Sequence, residues 1–91
     1  MQTPILYIKK GCPWCEDALG FFRSRGIQLN VFDVTVNAAA LRQLRHVSGQ
    51  SKCPTFEFGD FVVADFSVKE FLDAVDRHPP MRSQLGLDNP A

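Results

Sequence analysis

Four apolar β-formers in a row, Ile5-Leu6-Tyr7-Ile8, open the hydrophobic pattern and predict a central strand covered on both faces. The period then changes. From Pro13, which suits a first helical position because its missing N–H would have had no partner there, Cys15, Ala18, Leu19 and Phe22 recur at i, i+3, i+4 and i+7. That pattern predicts a helix to about Arg25, stopped by Gly26 and modestly weakened by Gly20. Ile27 to Val34 (IQLNVFDV) predicts a second strand, parallel to the first through a right-handed crossover. A second helix follows, capped by Asn37, favoured by Ala38 to Ala40, striped with Leu41, Leu44 and Val47, and ended by Gly49.

In TFEFGDFVVADF two β-rich runs flank Gly59-Asp60, a two-residue hairpin signal that predicts an antiparallel pair. Ser67 and Glu70 then form a capping box, Phe66 and Phe71 a hydrophobic staple, and Val68, Phe71, Leu72 and Val75 the buried stripe of a third helix. Beyond Arg77 three prolines and no sustained period predict a tail, residues 78–91, that docks through Met81, Leu85 and Leu87, leaving residues 1–77 as the domain proper. The order β-α-β-α-β-β-α calls for an α/β domain of thioredoxin-like fold, a four-stranded mixed sheet flanked by three helices.

Composition narrows the setting. Ninety-one residues, 45% of them hydrophobic, suffice for one small core. Ten basic residues balance ten acidic ones, so overall charge points to neither a nucleic acid nor an anionic membrane as partner. The N-terminal apolar run is too short for a signal peptide or a membrane span, and three cysteines, an odd number, fit reactive thiols in a reducing compartment better than a secreted disulfide framework. A cytoplasmic monomer is the expectation.

Two of those cysteines carry the candidate chemistry. Cys15 belongs to the apolar face of the first helix and points inward, whereas Cys12 precedes the first turn, where free N–H groups and the positive end of the helix dipole favour a thiolate. Lys9 and Lys10 add positive charge; Glu16 and Asp17 oppose it. Such a pair can attack a disulfide through Cys12 and release the product through Cys15, one turn away. Two small core residues are the plainer reading, which the position of Cys12 outside the helix disfavours. A structural zinc site needs four ligands, and no second C-x-x-C or H-x-x-x-H spacing is present, so no metal is assigned. His46, His78 and the cluster Arg42, Arg45 and Lys52 are read as solvated.

KKGCPWC, followed about forty residues later by SGQSKCPTFEF, resembles the glutaredoxins, the small glutathione-using members of the thioredoxin superfamily, over about residues 4 to 77. The resemblance implies a thiol-disulfide oxidoreductase with Cys12 as nucleophile, Cys15 as resolving thiol, glutathione as co-substrate, no tightly bound cofactor, and disulfide-bonded or glutathionylated proteins as partners. It implies that Pro54 is cis, that the backbone of Cys53 pairs with the substrate's cysteine strand, that Lys9 helps bind a glutathione carboxylate, and that the N–H groups of Phe66 and Ser67 receive the γ-glutamyl carboxylate. Trp14, where the family has tyrosine, packs against a substrate peptide or merely covers the helix start.

The chain departs from the family in three places: Ala64-Asp65 stands where Gly-Gly is common, Val68 where an acidic residue is common, and Cys53 where valine is usual. Asp65 is placed either to partner the glutathione ammonium or to repel its carboxylate. Cys53 is a valine-sized apolar substitute, a partner for an alternative disulfide with Cys12, or a third thiolate. Two alternatives follow: a glutaredoxin-shaped donor reduced by thioredoxin reductase, and a zinc or iron–sulfur protein using Cys12, Cys15 and Cys53.

Overall fold

The computed structural model describes residues 3–87. Its elements are β1 (Ile5–Ile8), α1 (Pro13–Ser24), β2 (Asn30–Asp33), α2 (Ala38–Ser48), β3 (Thr55–Phe58), β4 (Phe61–Ala64), α3 (Val68–Asp76) and α4 (Pro79–Gln84). The four strands form one sheet in the order β2-β1-β3-β4, with β1 and β2 parallel and the other neighbours antiparallel. This is the thioredoxin-like α/β architecture.

Strand β1 is buried on both faces because successive side chains point to opposite sides. Leu6 joins Ala18, Phe22, Phe56, Phe71 and Val75 beneath α1 and α3, and Tyr7 joins Val34, Ala40 and Leu44 beneath α2. Aromatic rings fill the first side: Phe22, Phe56 and Phe71 lie with centroids 4.9 to 5.5 Å apart. On the second side the Tyr7 hydroxyl donates to Glu57 Oε1 at 2.6 Å, and burial first, then that carboxylate, pushes the phenol well above its ordinary range.

Local signals account for the ends of the elements. Gly26 and Gly49 hold left-handed φ of 68° and 69° after α1 and α2, and Gly59 holds 60° in the β3–β4 turn. Asn37 Oδ1 accepts the Ala40 N–H at 3.0 Å, and the Ser67–Glu70 capping box and the Phe66–Phe71 staple, centroids 5.3 Å apart, both form at α3.

The start of one strand is corrected. Strand β2 begins at Asn30 rather than Ile27, since the Ile27 N–H bonds to Phe22 O at 3.0 Å to close the end of α1, and Asn30 is the residue that pairs with Ile5. Beyond Arg77 the chain docks as expected, with Met81, Leu85 and Leu87 buried in the same cluster as Phe56 and Phe71, but Pro79–Gln84 forms a fourth, short helix where no helix was expected. Prolines at its first two positions need no N–H partner, so they start this helix rather than prevent it. Residues 88–91 of the expected tail lie outside the described residues. No helix among those described is long and apolar enough to cross a membrane.

Candidate active site

Topology brings three segments to one end of the sheet. The chain leaves β1 at Ile8 and reaches Cys12 at the start of α1; Thr55 pairs with Tyr7, so Cys53-Pro54 arrives beside that exit; and Ala64 pairs with Thr55, so Asp65 to Ser67 arrives beside both.

Cys12 is the N-cap of α1, in extended conformation, and its Sγ accepts the Cys15 N–H at 3.2 Å, the role usually filled by a serine or aspartate oxygen. The same sulfur lies 3.9 Å from the carbonyl oxygen of Cys53, and the Cys53-Pro54 bond is cis. Cys12 is half-buried, Cys15 and Cys53 are buried, and all three are free thiols. Burial pushes the Cys15 thiol up to about 12, helped by a hydrogen bond with the Cys12 sulfur. Burial likewise pushes Cys53 up to about 11; the Lys9 ammonium draws it down, while Cys12, Asp33 and Asp65 add to the rise. The outcome is one reachable sulfur at the positive end of a helix and two protonated ones behind it.

The cysteines therefore pack together with Tyr7, Val34 and Leu44, yet among the described residues no group of three or more His, Cys, Asp or Glu is placed to hold a metal ion.

Phe66 and Ser67 reach the expected place but not with open donors. The Phe66 N–H bonds to Pro54 O at 3.3 Å and the Ser67 N–H to Glu70 Oε1 at 2.9 Å. The side chain of Phe66 is buried in the aromatic core. A carboxylate arriving here meets the first-turn N–H groups of Val68 and Lys69, which helix geometry leaves without a helical partner, unless Glu70 swings aside. The capping box that marked this helix so clearly is what occupies the donor.

Asp65 holds a φ of 52°, the one non-glycine residue with positive φ among those described, where glycine would be at ease. Its carboxylate lies 3.9 Å from Lys52 Nζ in an exposed pair. Trp14 is 49% exposed one residue past Pro13 and is available to a bound peptide. Gln50 and Thr55, which tie down the loop before Pro54, were not among the expected site residues; the sequence signals them only by a threonine directly after that proline, whose burial the structure shows.

A model of the glutaredoxin family matches residues 5–63. The chain belongs to the glutaredoxin family. Members of that family are thiol-disulfide oxidoreductases, and so is this glutaredoxin. Solved structures share the fold. A thioredoxin-like protein in crystal form superposes with a TM-score of 0.72 at 25% identity, over 84% of this chain and 97% of its own. The glutaredoxin of Archaeoglobus fulgidus gives 0.70 at 19% identity, over 82% and 87%. A buckwheat glutaredoxin solved as its glutathione complex gives 0.66 at 18% identity, over 91% and 78%. The last two likenesses speak to the fold. No curated protein matches by sequence search.

Proposed function

We propose that this glutaredoxin is a dithiol enzyme that uses glutathione to reduce protein disulfides and glutathione mixed disulfides. The observation that carries the reading is the Cys12 sulfur at the cap of α1, taking the Cys15 N–H at 3.2 Å and facing the Cys53 carbonyl across the cis turn. The Cys12 thiolate forms a bond to one substrate sulfur and expels the other, which takes a proton. Cys15, losing its proton as it attacks, displaces the second sulfur and closes a Cys12–Cys15 disulfide, so two electrons have passed to the substrate. One glutathione thiolate then opens that disulfide at Cys12 and a second removes the first, leaving glutathione disulfide and the dithiol. The buckwheat relative in complex with glutathione supports that co-substrate, as does Lys9 beside the cysteines. The odd number of cysteines supports a cytoplasmic setting.

A second reading has its own observation. The Ser67 N–H is taken by Glu70, Asp65 stands at the same entrance, and Val68 offers no charge, a combination that weakens a site for the γ-glutamyl group and favours reduction by thioredoxin reductase instead. The deciding experiment is turnover of a glutathionylated peptide coupled in parallel to glutathione with glutathione reductase, or to thioredoxin reductase. Turnover with glutathione upholds the first reading; turnover with thioredoxin reductase alone replaces it with the second. A fully active Cys12→Ser variant would end both.

A further inference from the structure

Thr55 is fully buried, and apart from Tyr7 and the cysteines it is the one polar residue so placed among those described. A valine would suit this β-strand position equally well, and burying a hydroxyl gains little unless its hydrogen bonds do something. Thr55 Oγ1 donates to Lys52 O at 2.9 Å and accepts from Gln50 Nε2 at 3.3 Å. Gln50 Oε1 in turn accepts the Lys52 N–H at 2.6 Å, and Gln50 Nε2 donates to Ser48 Oγ at 2.7 Å. Ser48 Oγ donates back to Leu44 O at 2.6 Å, the last turn of α2. Both backbone polar groups of Lys52 are thus held by side chains, and the chain of bonds runs without a gap from α2 to the first residue of β3.

What lies inside this clasp is the Cys53-Pro54 turn, whose carbonyl faces the Cys12 sulfur at 3.9 Å. On its far side the turn is held by the Phe66 N–H, which donates to Pro54 O at 3.3 Å; on the side of Cys53, Ser51 and Lys52 belong to no strand or helix, and Lys52 reaches Asp65 through an exposed contact at 3.9 Å. An exposed pair of that kind contributes little.

We infer that Gln50 and Thr55 are positioning residues for the disulfide exchange, holding the Cys53 backbone at the spacing from Cys12 that a substrate's cysteine strand needs. The inference rests on the proposed use of that backbone for docking. The hydrogen bonds of both side chains go to Ser48, Lys52 and each other rather than to the Cys12 sulfur, so their effect falls on substrate capture rather than on the nucleophile.

The test is single-turnover reduction of a glutathionylated peptide by the pre-reduced protein, followed to saturation, beside the rate at which iodoacetamide alkylates Cys12. Thr55→Val keeps the branched shape and removes the hydroxyl; Thr55→Ser keeps the hydroxyl; Gln50→Ala removes the brace at a half-buried position. The half-saturating peptide concentration should rise roughly fivefold or more in Thr55→Val and Gln50→Ala, on the scale of one lost hydrogen bond. Alkylation should stay within about twofold of the unaltered protein, and Thr55→Ser should recover most of the capture. Unchanged half-saturation in both disruptive variants would overturn the inference, as would an equal loss of alkylation, which marks a general loosening of the site. If the unaltered protein fails to reduce the peptide at any concentration, the docking role of the Cys53 backbone falls first and the inference falls with it.

Discussion

At pH 8 the native fold should protect two of its three cysteines from alkylation by ionisation alone. An ordinary cysteine titrating near 9.0 is about 9% thiolate at that pH, whereas Cys53 at about 11 is roughly 0.1%, and Cys15, raised by burial and by its hydrogen bond with the Cys12 sulfur, is lower still. Since the thiolate is the reacting form, native Cys53 should be modified about a hundredfold more slowly than in the unfolded chain and Cys15 more slowly again, and their burial slows them further. Transient unfolding does not mask the effect at Cys53: even about 5 kcal/mol of stability leaves only a few unfolded molecules in ten thousand, well below one part in a hundred. The assay is a time course with neutral iodoacetamide in buffer and in guanidinium. Tryptic peptides after Lys10 and Lys52 separate Cys12 and Cys15 from Cys53, and fragmentation separates the first two. Cys12 should be labelled first in buffer, and the Cys53 rate should climb about tenfold per pH unit towards 11. Native labelling of Cys53 at pH 8 within a few-fold of its unfolded rate would refute the assignment of burial as the controlling cause.

The same raised values make stability fall with alkali: above about pH 9 the unfolded chain releases the Cys15 and Cys53 protons while the native state keeps them, so the loss accrues between about 9 and 12. The guanidinium midpoint should be lower at pH 10.5 than at pH 8, and a Cys15→Ala, Cys53→Val protein should lose part of that slope; an equal midpoint at both pH values would contradict it. Phe71 is fully buried against the rings of Phe21, Phe22, Phe56 and Phe66, so Phe71→Ala should destabilise by about 3–5 kcal/mol in equilibrium unfolding. A loss under about 1 kcal/mol would mean that the ring cluster closes over the gap.

Much of the fold was legible because its signals are local. The apolar run of β1, the i, i+3, i+4 face of α1, the Gly59 turn and the Ser67–Glu70 box each depend on residues a few positions apart, and each forms where the pattern placed it. The misses are places where distant residues compete. Ile27 and Leu29 have strand-like side chains, but the Ile27 N–H is claimed by α1 and those side chains pack on the core, so β2 starts late. Pro79 and Pro80 read as breakers until a hydrophobic surface on Phe56 and Phe71 gave Met81, Leu85 and Leu87 something to cover.

The candidate site divides the same way. Spacing alone set Cys12 at a helix cap and Cys15 on an inward face, because three positions make nearly one helical turn. The sequence also held the proline and the cysteine before it. The resemblance also implied that Cys53 lies near Cys12; only the tertiary structure could show that the Phe66 and Ser67 donors are already taken and that Gln50 and Thr55 hold the turn. Those facts depend on which hydrogen-bonding groups win when segments far apart in the chain meet, and a buried donor or acceptor finds its partner by distance in space, not by distance along the sequence.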